Sequence, residues 1–284
     1  MGATGVLGRP VVGGLLERGD SVVALVRSLQ RAAPIDRPGV ELHEGDLLRI
    51  EPALLRDLLD GCDAAAHLAT ALRPGSPGLG TTNTNASLRI EGTRRLLAAV
   101  LAAGVRRYVQ QSIALAYIDG GDAWLDEQTP FYQPDDAAGA AQPVVEMEAM
   151  VRALPEDVAW LILRGGSFVG PETRQDDAIA RLRDGSLRVP GDGANWVSFV
   201  HADDYASAVV LAIHSPLSGA VFNVADTPVR NGDYLDGLAD LLGLPPPPRD
   251  PEAARPRSYR CSSEPARQQL GWQPQRGIWP ARRA

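Results

Sequence analysis

The chain has 284 residues, 44% of them hydrophobic, and a net charge of −7 at neutral pH, enough for one large domain or a domain with an appendage. The acidic balance argues against nucleic acid as the main partner, and no stretch reaches the roughly 18 apolar residues of a membrane span. No basic-then-apolar leader is present, so the cytoplasm is the expected location. Lysine is absent, so apart from the four histidines every basic side chain is arginine. The abundance of Ala, Gly, Pro and Arg points to compositional bias as the cause, but the consequence is chemical: no mechanism that needs a lysine amine can run here. Cys62 and Cys261 lie far apart, lack metal-ligand spacing and read as buried thiols.

The first element in chain order is the run Gly2-Ala3-Thr4-Gly5-Val6-Leu7-Gly8. Gly2 allows a tight turn, Gly5 lets the backbone approach a pyrophosphate, and Gly8 lets a helix pack close to a strand. Only Met1 precedes this run, where a supporting strand is expected. A missing central strand would leave neighbours short of hydrogen bonds at a cost of several kcal/mol. A late start site or a truncated fragment is the expected reason, with a poorly folding product as the alternative.

Helical spacing over residues 11–18 ends at Gly19, a C-cap. Residues 21–27 read as a buried strand, 51–59 as a helix and 63–69 as a strand. Residues 85–103 form a long helix stopped by Gly104, with Leu88, Leu96, Leu97 and Val100 on its apolar side. Strand 106–112, helix 144–154 and strand 158–164 follow. Strands alternating with helices imply a parallel sheet covered on both faces, with right-handed crossovers. After Gly165 the texture becomes richer in Gly and Pro, with helices at 204–214 and 231–242 and a strand at 220–224. The prolines of residues 245–248 fit neither helix nor inner strand.

The order of motifs resembles the short-chain dehydrogenase/reductase superfamily, in its extended, epimerase/dehydratase-like branch. The matching residues are the glycine run, Gly45-Asp46-Leu47, His67-Leu68-Ala69, Ile90-Glu91-Gly92-Thr93 and Val109-Gln110-Gln111-Ser112. In the second half they are Leu163-Arg164 leading to Gly170-Pro171, Phe199-Val200-His201-Ala202-Asp203-Asp204, and Leu270-Gly271-Trp272-Gln273-Pro274. The resemblance implies an α/β fold: a Rossmann-like doubly wound parallel sheet with a small C-terminal substrate-binding portion. Residues 1–165, with 195–225 returning to them, would form the NAD(P)-binding domain, and 166–194 with 226–284 the smaller portion.

The resemblance also implies roles. Gly2, Thr4, Gly5, Val6, Leu7 and Gly8 would cradle the pyrophosphate. Asp46 and Leu47 would flank the adenine, unless Asp46 is only a turn residue. His67, Leu68 and Ala69 would line the cofactor cleft at a strand end, or His67 would simply be packed there. Val26 falls where NAD-preferring members carry an acidic residue. Arg27 could pair with a 2′-phosphate, which favours NADP(H) over NAD(H). The substrate would be a small organic molecule near Phe168, Val169, Arg174 and Trp196. A nucleotide sugar would want arginines such as Arg174, Arg183, Arg188 and Arg230. A homodimer is compatible with the family.

The family's Ser/Thr-Tyr-Lys relay is not present. Counting back from Tyr117 puts Ile113 on the hydroxyl position, with Ser112 one residue early. Aligning on Glu148 puts Val144 on the lysine and Ala140 on the tyrosine position. Without a nearby cation a phenol with pKa near 10 is a poor base. The remaining acid/base candidates are Ser112, Tyr117, Glu146 and Glu148, with Tyr132 weaker. Each also has a structural alternative: a strand cap for Ser112, a solvated helix face for the glutamates. His201, Asp203 and Asp204 read as structural, an aspartate capping the next helix, and no metal is expected. Two functions follow: an NAD(P)-dependent oxidoreductase, epimerase or dehydratase with a non-standard acid/base, or a redox-silent cofactor-binding sensor or scaffold.

Overall fold

The computed structural model describes residues 1–71, 83–131 and 141–280. Helix α1 (Gly8–Glu17) leads into β1 (Val22–Val26), β2 (Val40–Glu44), α2 (Pro52–Asp57) and β3 (Ala64–His67). Next come α3 (Asn83–Ser87), a π-helical turn (Leu88–Gly92), α4 (Thr93–Ala103), β4 (Arg107–Ile113), α5 (Gln142–Arg152) and β5 (Ala159–Gly165). The single helix expected over 85–103 is therefore three segments, closed by Gly104 in the left-handed region.

Strands β3, β4, β5 and β10 (Ala220–Val224) form a parallel sheet in the order β10-β5-β4-β3. Strands β1 and β2 pair in parallel as a separate sheet. The Met1 carbonyl accepts from the Leu68 amide at 3.0 Å, and the Met1 ammonium donates to the Ala66 carbonyl at 2.8 Å. The glycine run thus starts on the edge of β3. Ala3 and α1 then carry it to β1, where Ala3, Val12, Ala24 and Val26 share a small core.

Alternation along β5 covers the sheet on both sides. Leu161 and Leu163 join α1, α7 (Ala202–His214) and Trp272 in one core, whereas Ile162 joins α2, α4 and α5 in another. A third core builds a smaller lobe from β6 (Ser167–Val169), α6 (Arg174–Arg183), β7 (Val189–Pro190), β9 (Phe199–His201) and α8 (Asn231–Leu241), with Ile278. Short pairs add β8 (Trp196–Val197) to β11 (Val229–Arg230) and β7 to β12 (Arg249–Asp250). Helix α9 (Glu264–Gln269) was expected to belong with the smaller portion, yet Ala266, Leu270 and Trp272 sit in the first core.

The cap of α7 also differs from expectation. The His201 ring nitrogen Nδ1 accepts from the Asp203 amide at 3.2 Å. Asp204 is buried and instead accepts from the amides of Gln275 and Arg276, while Trp272 Nε1 donates to its carbonyl. That aspartate anchors the C-terminal segment to α7. Cys261 is buried as expected, and Cys62 is half-buried. Among the described residues no helix is long and apolar enough to cross a membrane, and no group of His, Cys, Asp and Glu could hold a metal ion.

Candidate active site

The glycine run makes a tight cradle. Gly2 has φ +87°, and a Cβ there would stand 2.7 Å from the Ala69 amide nitrogen. The Gly5 amide closes a turn onto the Gly2 carbonyl at 3.1 Å. A Cβ on Gly8 would fall 2.1 Å from the same carbonyl, so the first turn of α1 can press on the loop only as glycine. At Gly5 the nearest obstacle to a Cβ is the Gly2 oxygen at 3.3 Å, leaving its other side open. The amides of Val6 and Leu7 find no acceptor among the described residues. Open N–H groups at a helix N-terminus beside a glycine with free space fit a dinucleotide pyrophosphate.

The loop opens onto a cleft of about 2440 Å³ between the parallel sheet and the smaller lobe. Gly2, Thr4, Gly5, Val6, Leu7, Gly8, Arg27, Asp46, Leu47, Leu68 and Ala69 all line it. Arg27 is exposed at the end of β1, with Ser28 and Arg31 beside it on the cleft wall. Asp46 Oδ1 accepts from the Leu48 amide at 3.0 Å in a turn, and the residue also lines the cleft. His67 does not reach the cleft wall. It is 2% exposed, and neither ring nitrogen has a hydrogen-bond partner among the described residues. Burial, and after it the nearby Met1 ammonium, pull its pKa down to about 3. Burial likewise lowers the Met1 amine to about 6.

The side chains expected to supply acid or base lie behind the cleft wall. Ser112 and Arg164 are cross-strand neighbours on β4 and β5, both beneath α5. Ser112 Oγ donates to Glu148 Oε1 at 2.6 Å, and Arg164 grips the same carboxylate through Nε at 2.9 Å and Nη2 at 2.7 Å. Arg152 approaches its outer oxygen at 3.5 Å. Arg164 Nη1 donates to the Tyr117 hydroxyl at 2.8 Å and to the Glu127 carbonyl at 3.0 Å, and Tyr117 donates onward to Asn223 Oδ1 at 2.8 Å. The guanidinium carbon of Arg164 also lies 4.2 Å from the Phe131 ring centroid. Burial raises the Tyr117 pKa, and the adjacent Arg164 only partly counters it. Burial disfavours the Arg164 charge, but Glu148 more than offsets this and holds its pKa above the ordinary value. Glu146 is half-exposed on α5 and accepts from Gln142 at 3.0 Å. Val144 is buried, whereas Tyr132 and Ala140 fall outside the described residues.

On the substrate side Phe168, Val169 and Arg174 line the cleft, but Trp196 does not. Its ring stacks between Arg230 and Arg260, at 4.0 and 4.4 Å from the centroid. Arg230 pairs with Asp122 at 2.8 Å, so of the four arginines weighed for a diphosphate only Arg174 lines the cleft. Among the described residues, the phenols that reach the cleft are Tyr234 and Tyr259.

Five buried polar residues among those described, not weighed as site residues from the sequence, also line it: Arg89, Gln111, Thr173, Gln175 and Asn195. A signal for Arg89 existed. Helical spacing places it on one face with Thr93, Leu96 and Val100, all buried.

Comparison with known proteins gives the fold and site a class. A family model for the NAD-dependent epimerase/dehydratase family matches residues 1–225, and the chain belongs to that family. It is similar to a 3-diazoavenalumate denitrifying reductase from a Streptomyces species, 37% identical over 298 aligned positions covering 98% of this chain and 96% of the relative. A 2-alkyl-3-oxoalkanoate reductase from Stenotrophomonas maltophilia K279a is 28% identical over 82% of this chain and 70% of the relative. Among solved structures, a dTDP-glucose 4,6-dehydratase, DesIV, from Streptomyces venezuelae with NAD bound superposes with TM-score 0.83 at 23% identity, covering 98% of this chain and 91% of that one. MoeE5 in complex with UDP-glucuronic acid and NAD superposes with TM-score 0.79 at 26% identity, covering 98% and 93%. The chain is thus an NAD(P)-dependent oxidoreductase or epimerase/dehydratase.

Two stability measurements check this description. Arg164→Met leaves a buried carboxylate short of its main partner and is expected to cost about 3–5 kcal/mol in urea unfolding. Arg164→Met combined with Glu148→Leu is expected to cost less than the sum of the single changes, with a coupling of about 2 kcal/mol or more. For His67 the unfolded ring, with an ordinary pKa near 6.5, takes up its proton before the folded one, at about 3. Its contribution to stability is full above about pH 6.5 and lost as pH falls toward 3. Between pH 7 and 4, wild type is expected to lose on the order of 3 kcal/mol more stability than His67→Gln.

Proposed function

We propose that this chain is an NADPH-dependent reductase of a small aromatic carboxylate whose reducible group is a diazo function. The observation that carries the reading is what occupies the proton-relay positions. Ser112 and Tyr117 are held in the Arg164–Glu148 network, buried Val144 stands where the resemblance puts lysine, and the chain holds no lysine. Reducing a carbonyl needs a proton donor for the nascent alkoxide as well as a hydride. Reducing an aryl diazonium group does not: the carbon–nitrogen bond breaks, a carbon–hydrogen bond forms, and N₂ leaves with the electron pair of the broken bond. The Streptomyces relative is named for a diazo-bearing carboxylate and for a reduction with loss of nitrogen.

In this reading the Val6 and Leu7 amides hold the pyrophosphate, and Asp46 and Leu47 flank the adenine. Arg27, with Arg31 beside it, receives a 2′-phosphate and sets the preference for NADP(H). The bound nicotinamide supplies the hydride. The residues around it orient the two partners and exclude water. A cytoplasmic location belongs to the same reading.

A second reading keeps carbonyl reduction, with Tyr259 as proton donor. Tyr259 lines the cleft, Arg257 lies 5.4 Å from its ring centroid, and the Stenotrophomonas relative is named for a 3-oxo acid. NADPH oxidation with 3-carboxybenzenediazonium and with a panel of 3-oxo acids separates the two. Turnover of the diazonium acid with N₂ release is expected; turnover confined to the oxo acids would overturn the first reading in favour of the second. Arg27→Ala is expected to weaken NADPH binding by about tenfold or more in a fluorescence titration, with NADH changed by less than about twofold.

A further inference from the structure

Arg89 sits in the π-helical turn that joins α3 to α4, a rare form of helix that is frequent at functional sites. It is 6% exposed and lines the cleft. Arg164 is as deeply buried, but it grips Glu148 and contacts Tyr117, whereas Arg89 has no hydrogen bond or ion pair among the described residues. Burial alone lowers its pKa, to about 10, so it still carries its charge at neutral pH. A buried guanidinium without a partner costs stability, and proteins keep such groups where a ligand supplies the counter-charge.

The neighbourhood says where that ligand comes from. The open amides for a pyrophosphate, Val6 and Leu7, lead into α1, and Arg27 and Arg31 follow β1. Arg89 belongs instead to the helix that packs on α5 and follows β3. Gln111, also on the cleft wall from β4, is 7% exposed and leaves its Oε1 without a donor among the described residues. The chain thus has a buried valine at the family's lysine position on α5, and a buried cation on the helix against which α5 packs.

We propose that Arg89 receives the carboxylate of the substrate, in a bidentate pair that fixes how an aromatic acid lies in the cleft, with the Gln111 carbonyl oxygen free to accept from a polar group on the same ligand. This deepens, and rests on, the reading of the chain as a reductase of an aromatic carboxylate. It makes Arg89 a specificity determinant that neither phosphate contacts nor the hydride step requires. A cofactor phosphate is the other anion that could meet this guanidinium, and the test distinguishes the two.

The test compares wild type with Arg89→Met and Arg89→Lys. Binding of trans-cinnamate and of its methyl ester to the NADP⁺ complex is measured by calorimetry, alongside the NADPH dissociation constant and the melting temperature. Arg89→Met is expected to weaken cinnamate by about tenfold or more, to leave the ester within about twofold, and to leave NADPH within about twofold. Arg89→Lys should recover part of the loss, since it restores charge without the planar fork. The melting temperature of Arg89→Met should equal or exceed that of wild type, because a buried charge with no partner among the described residues is removed. Unchanged cinnamate binding, absence of cinnamate binding by wild type, an equal loss for the ester, or a parallel loss of NADPH affinity would each overturn the proposal. If cinnamate binding depends on Arg89 while 3-carboxybenzenediazonium is not reduced, the carboxylate site stands and the diazo reading fails.

Discussion

The buried pair of Arg164 and Glu148 ties β5 to four other parts of the molecule. The guanidinium grips Glu148 on helix α5, which in turn accepts from Ser112 on β4; it also donates to Tyr117 and to the Glu127 carbonyl in the segment after β4, and Tyr117 donates onward to Asn223 on β10. Taking both charges from water costs several kcal/mol each, and their attraction repays this only when the other donors and acceptors are also satisfied. Here they are: both carboxylate oxygens and three guanidinium nitrogens have partners. The network holds the ends of β4 and β5 and the middle of α5 in one arrangement, and the β4 residues on either side of Ser112, Gln111 and Ile113, line the cleft.

That arrangement bears directly on chemistry. The hydroxyl and phenol that could have served a proton relay are structural parts of the wall. What lines the cleft includes the open backbone amides of the glycine loop, the arginines Arg27, Arg31 and Arg89, and the phenols Tyr234 and Tyr259. Such a site is equipped to hold anions and align two flat partners. The relatives named as enzymes set aside a purely redox-silent role. Among reductions, one that ends in release of N₂ makes the least demand on side-chain acids.

The glycine cradle was legible because its constraint is local: each glycine is required by contacts within a few residues or at the neighbouring strand end. The strands of the four-stranded sheet were legible for a similar reason, since burial on both faces leaves nearly continuous apolar runs. Strand β2 was not, because Val-Glu-Leu-His-Glu alternates with charge at the sheet edge, and α6 buries only Gln175 and Leu182. Glu148 was weighed as a solvated helix residue although Val144 and Val151 place it on the apolar stripe of α5. Its partner lies on the next strand, and no local pattern announces a pairing made by tertiary packing. Arg89, like Glu148, could have been found by helical spacing, which sets it with buried Thr93, Leu96 and Val100.

The account stands or falls on what surrounds the nicotinamide, and a crystal structure of the NADPH complex measures that directly. The expected result is a pyrophosphate on the Val6 and Leu7 amides and a 2′-phosphate against Arg27, with Tyr117 and Glu148 still bound to Arg164 and Ser112 still bound to Glu148. No hydroxyl or carboxyl of Ser112, Tyr117, Glu146 or Glu148 should then lie within about 3.2 Å of a substrate atom beside the nicotinamide. A complex in which the Arg164–Glu148 pair opens and Tyr117 or Glu148 turns to the nicotinamide would contradict it.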